Sequence, residues 1–216
     1  MENISYIGLS QQMALTSMMN ASANNIANMN TPGFKGQRVM FVDYLNKSPE
    51  AARRDAIHQV LDYATYRDTA QGSLQMTGND LDVALEGDGY FVVGGANGNR
   101  YTRNGSFSLN AQRELVTKTG DRVLAGGAPI LIPEEARHIT ITKDGQISTE
   151  VGDVGQLDIV GFDDQQQMNE EGDGYYTASD GTAGTPLAGA RVVQGAVEPS
   201  NVNPILEMNR MVEVLR

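Results

Sequence analysis

Apolar positions in the first 34 residues recur at helical spacing, and almost no charge interrupts them. Leu15, Met19, Ile26 and Met29, with Met18 and Ser22 between them, step by threes and fours. Leu9, Met13, Asn20, Asn24 and Ala27 mark a second side. The spacing predicts a helix over about residues 4–28, stopped by Asn30-Thr31-Pro32-Gly33. The residue before a proline avoids the α region, and glycine permits the reversal. After Glu2 the next charged residue is Lys35. A helix with one wet side normally carries Lys and Glu there, whereas this one carries Asn, Gln and Ser. Asn20, Asn24 and Asn28 share one i, i+4 line. Either they form a solvated stripe, or their amides hydrogen-bond across to other helices without the desolvation cost of an ion. Two uncharged sides on one helix favour many neighbours over one.

Further along, the period shortens to two. Phe41, Val42, Tyr44 and Leu45 predict a short element before the break Asn46-Lys47-Ser48-Pro49, and Val60–Tyr66 alternates like an extended segment. From Asn79 to Glu198 the pattern is β. Leu81, Val83 and Leu85 alternate with Asp82, Ala84 and Glu86, predicting a half-buried strand, and Tyr90-Phe91-Val92-Val93 follows the tight Gly87-Asp88-Gly89 turn. Asn104-Gly105 and Asp144-Gly145 predict type I′ hairpins. Further strands are expected at 115–116, 130–132, 139–142, 157–162 and 191–197. The turns draw on 24 glycines. Glu86–Tyr90 recurs as Glu171–Tyr175, and Thr102–Ser108 is echoed by Thr142–Ser148, without a sustained period.

A second helix opens at Asn203, a predicted N-cap, with Pro204 at the first helical position. Ile205, Met208, Val212 and Leu215 step by three, four and three, which is coiled-coil spacing, and Glu207, Arg210, Glu213 and Arg216 mark its wetter side. So short a helix is marginal alone and needs a partner. The expected organisation is therefore mainly β with terminal α-helices. Residues 1–34 and 202–216 form the helical region, 35–78 a connecting extended region, and 79–201 an irregular β domain of short antiparallel strands and hairpins.

The chain has 216 residues and a net charge of −11, with two His and neither Cys nor Trp. The acidity counts against nucleic-acid binding. Without Cys there are no disulfides, thiolate nucleophiles or Cys-based metal sites. Nothing resembles a run of ~20 apolar residues for a membrane span, nor a cleavable signal peptide after Met1-Glu2-Asn3. His58 and His138 stand in no ligand spacing. Asp80/Asp82, Asp163/Asp164 and Glu170/Glu171 are the acid pairs a glycosidase would need, but acidic loops are ordinary in so acidic a chain. Asp163–Gly174 departs from a calcium loop at Gln165-Gln166-Gln167. Gly87-x-Gly89 leads into a strand, so it fails the dinucleotide test. No catalytic residue, cofactor or metal site is expected, and the reading is against an enzyme. Charge is also unevenly spread. Residues 1–34 carry Glu2 alone and 202–216 balance to zero, so the remainder lies on 35–201.

Ala23-Asn24-Asn25-Ile26-Ala27-Asn28-Met29-Asn30-Thr31-Pro32-Gly33-Phe34-Lys35 resembles the N-terminal motif of bacterial flagellar rod and hook proteins. Gln71–Leu74, Thr77–Phe91 and Tyr101–Phe107 resemble the β-domain entry of that family, and Glu198–Pro204 its C-terminal motif. The opening Tyr6-Ile7-Gly8-Leu9-Ser10 is most similar to the proximal rod members, with the distal rod members second. The resemblance implies an axial structural protein, exported by the flagellar type III apparatus, that polymerises in the periplasm with copies of itself and other rod proteins into the drive shaft. It implies no nucleic acid and no direct membrane insertion. It also implies that the N- and C-terminal helices pair as an inner layer. The assembly interface is then expected at Asn20, Asn24, Asn25, Ile26, Ala27, Asn28, Pro32, Gly33, Phe34, Ile205, Met208, Val212 and Leu215. Members of the family continue the C-terminal helix for about eight more turns; ending at Arg216, the chain is expected to be either truncated or reduced in this layer. The competing class is a secreted carbohydrate-binding β module.

Overall fold

A computed structural model describes residues 2–45, 58–95, 98–179, 184–187 and 189–214, with side chains outside 2–7 and 41–63. The chain forms two compact units. The first joins Met1–Met29, Gly36–Asp68 and Val202–Arg216, and the second joins Asn30–Lys35 to Thr69–Asn201.

The first unit holds two helices, α1 (Glu2–Ala27) and α2 (Pro204–Val214), which contact each other. Strands Gln37–Leu45 and His58–Arg67 pair antiparallel beside them, with a bulge between Val42 and Asp43. α1 is buried through its small and amide residues, Ala14, Ala21, Ser22 and Asn25, which allow close approach. α2 begins as its cap predicts, with Asn203 Oδ1 accepting the Ile205 and Leu206 amides at 3.1 and 3.4 Å. No described helix is long and apolar enough to cross a membrane.

The second unit is built from short antiparallel strands. Its main sheet centres on Tyr90–Gly95, which pairs with Gly98–Thr102, Arg122–Ala125 and Ile159–Gly161. Both faces of this sheet are covered. Phe91, Val93, Val123, Ile159 and Tyr175 enter one core, while Tyr90, Val92, Leu124, Val160 and Tyr176 enter another. Period two thus sends neighbouring residues into different cores, which is why these strands read as continuous apolar runs. A three-stranded meander, Ile139–Ile141, Gln146–Thr149 and Gly152–Gln156, adds Ile141 and Ile147 to the first core. Val83–Glu86 pairs with Arg191–Gln194, and Gln75–Met76 with Ala196–Val197, the break between the two late strands falling at Gly195.

Local expectations differ in three places. The strand predicted as half-buried buries Ala84 as completely as Val83 and Leu85. Asn104-Gly105 makes no hairpin. Asn104 Oδ1 instead accepts the Ser106 amide at 3.0 Å, and a Cβ on Gly105 would lie 1.7 Å from the Val83 carbonyl oxygen. Glycine is needed there for close approach. Asp144-Gly145 does turn a hairpin, but only Gly145 has positive φ, and its amide bonds to Thr142 at 2.9 Å. That is a three-residue loop ending in a left-handed glycine rather than a type I′ turn.

Candidate assembly surface

The spacing of α2 marks an apolar seam, and that seam stands in solvent. Ile205, Met208 and Val212 are 65%, 51% and 66% exposed. Leu215 lies outside the described residues. Glu207, read as part of the wet side, is instead buried and accepts the Ser22 hydroxyl at 3.0 Å, while Arg210 pairs with it from the next turn. Arg210 and Glu213 are exposed as expected, so α2 presents its apolar seam to solvent alongside these charges, and Glu207 is its buried residue. A groove of about 530 Å³ runs between the two helices and the hairpin, lined among others by Leu15, Met18, Val39, Tyr66 and Val214.

α1 has the same character. Leu9, Met13, Asn20 and Ala27 are exposed, and Asn24, Ile26 and Asn28 are half-buried. Within the helix, Asn28 Nδ2 donates to Asn24 Oδ1 at 2.9 Å and to the Asn24 backbone oxygen at 3.0 Å, closing the last turn. Asn25, only 2% exposed, reaches another element. Its Nδ2 donates to the Gln37 carbonyl and its Oδ1 accepts the Gln37 amide, both at 2.8 Å. A side-chain amide has the donor and acceptor of a peptide group, so Asn25 borders the strand as a one-residue partner would.

In the second unit, Gly33 and Phe34 are buried and Pro32 is half-buried. A Cβ on Gly33, at φ +73°, would fall 2.6 Å from the Arg103 backbone, and its amide donates to the Glu198 backbone oxygen at 2.7 Å. Beside it lies a charged trio that the sequence does not single out. Glu198 has a side chain only 1% exposed; its Oε1 meets Lys35 Nζ at 2.6 Å and its Oε2 meets Arg103 Nε at 3.0 Å. Lys35 also donates to the Ala70 carbonyl, and Arg103 to those of Gly87 and Gly89. The signal available was position: each of the three lies in a motif quoted above, and Lys35 ends the charge-free stretch.

In each acid pair at least one member has a local structural partner. Asp82 accepts the Thr77 hydroxyl at 2.7 Å, Asp164 caps the Gln165–Gln167 turn, and Glu171 pairs with Arg100 at 2.8 Å. His138 is exposed, 3.8 Å from Glu150, and the His58 side chain lies outside those described. Glu114 has its pKa lowered, first by the Asn110 side-chain amide at 2.8 Å and then by Arg122.

A chain whose helices bury small and polar groups while presenting apolar seams outward has the surface of a structural subunit. Comparison with known proteins gives the particular family. Residues 6–35 match the family described as flagella basal body rod protein, and 84–149 match the flagellar hook protein FlgE/F/G D1 domain. The flagellar basal-body rod protein FlgF of Caulobacter vibrioides is 37% identical over all of this chain and 89% of its own length. That of Mesorhizobium japonicum is 35% identical with the same coverage, and FlgG of Agrobacterium fabrum is 33% identical over 90% of this chain and 83% of its own. The chain belongs to the flagellar basal-body rod protein family and is a structural rod subunit, with similarity favouring FlgF over FlgG.

Proposed function

We propose that this subunit is exported by the flagellar type III apparatus and joins the proximal, periplasmic part of the rod. There it contacts copies of itself and other rod and hook proteins through the outward faces of α1 and α2. The observation that carries the reading is the apolar seam of α2, which stands in solvent at Ile205, Met208 and Val212. Apolar side chains so placed add little to their own fold and gain on covering, at ~25 cal/mol per Å² removed from water. Head-to-tail contacts of this kind extend into a filament when they do not close. Leu9, Met13, Asn20 and Ala27 supply the corresponding face of α1. Asn25, Gly33 and Phe34, being buried, serve by fixing the shape of the parts that touch neighbours.

The test is Ile205→Glu/Met208→Glu in the motile cell. Swimming and recovery of the subunit in purified basal bodies should be lost, while the isolated variant keeps its circular dichroism and the subunit still leaves the cytoplasm. Normal incorporation would remove the seam from the interface.

A further inference from the structure

We infer that Glu198 is the latch of the β unit, which cannot complete its fold until residue 198 reaches Lys35 and Arg103. The three groups come from the start, middle and end of the chain, with separations of 163 and 95 residues. Both cations have side chains only 4% exposed. The carboxylate serves both, and its Oε1 also accepts the Gly72 amide at 3.1 Å. Removing it takes the bridging anion from two buried cations, a loss that favours the open chain.

Strand order imposes the same condition. Val83–Glu86 is paired by Arg191–Gln194, and Gln75–Met76 by Ala196–Val197, the last strands of the unit. These strands immediately precede Glu198. A chain supplied from its N-terminus therefore keeps Lys35 and Arg103 hydrated and two strand edges open until its final segment arrives. Backbone pairing then brings Glu198 within reach, and its charge makes burial of the two cations favourable. The inference concerns closure of the unit itself and stands apart from the assembly reading.

Hydrogen exchange on the full chain tests it. Glu198→Gln should lower protection at Gly72 and along Val83–Glu86 by on the order of 100-fold or more. Lys35→Met/Glu198→Gln removes one charge of each sign and should recover at least about tenfold of that loss. In pulse-labelled refolding of the unaltered protein, Val83–Glu86 should gain protection together with Arg191–Gln194. Protection in Glu198→Gln within about threefold of native would overturn the latch. So would a double variant no better protected than the single one, or equally unfolded. Protection of Val83–Glu86 ahead of Arg191–Gln194 would overturn it as well.

Discussion

Replacing Asn25 by Ala removes both hydrogen bonds to Gln37 in one step. Removing one partner of a hydrogen bond shielded from water costs about 1–3 kcal/mol, and Asn25 makes two such bonds. Alanine returns up to about 0.7 kcal/mol in helix propensity. Because Asn25 is 2% exposed, water cannot replace the amide without reshaping the contact, so the net loss should be about 3 kcal/mol. Since the chain has two units, a single unfolding free energy is poorly defined, and the reading belongs at the site. Native-state exchange of the Gln37 amide should accelerate by on the order of 100-fold, at 1.4 kcal/mol per tenfold. Asn25→Asp separates the two bonds. It retains the acceptor but turns an oxygen toward the Gln37 carbonyl and buries a charge, so it should be worse than Ala at neutral pH. Its deficit should shrink as the pH falls and the carboxyl gains a proton to donate. An Asn25→Ala protein with unchanged Gln37 exchange, or an Asn25→Asp deficit independent of pH, would refute the view of Asn25 as a surrogate strand.

Gly105→Ala should destabilise the β unit by about 3 kcal/mol or more, because its methyl group would meet the Val83 carbonyl at 1.7 Å; a denaturation midpoint matching native would deny the close approach. For Glu114 the lowered pKa fixes the sign of a pH effect. Its stabilisation is present above the unfolded pKa and is lost as the pH falls through the folded one. Asn110→Ala should therefore move the Glu114 carboxyl titration upward, read by NMR, and an unmoved midpoint would leave the Asn110 bond without effect.

Much of this molecule is legible in one dimension. α1 shows itself by an uncharged helical period ended at Pro32-Gly33, and α2 by Asn203-Pro204, because caps and breakers act locally. The doubly covered strands show as apolar runs because both of their faces are buried. What escapes is set by partners distant in sequence. Glu207 reads as a wet residue until Ser22, 185 positions away, is placed against it. Periodicity picks out the Asn20, Asn24, Asn28 line and passes over the contact of Asn25 with Gln37, since only the returning strand decides that this amide meets a backbone. Asn104-Gly105 has hairpin composition, but the Val83 backbone occupies the space that composition would give to a turn. Lys35, Arg103 and Glu198 are three ordinary charges in sequence, joined only when the chain has folded back twice.

The sheet whose faces fill two separate cores acts as a partition. On one side Phe91 meets Phe107, while on the other Tyr90 meets Tyr176 and Phe162. A one-residue deletion within Tyr90–Val93 would move every side chain beyond it through the wall into the wrong compartment. Length changes belong where the chain borders no wall. The turn at Glu150-Val151 is exposed, and nothing lies within 4 Å of a Cβ built on the adjoining Gly152. A peptide tag or fluorophore set there would report on the subunit while leaving both compartments as they are.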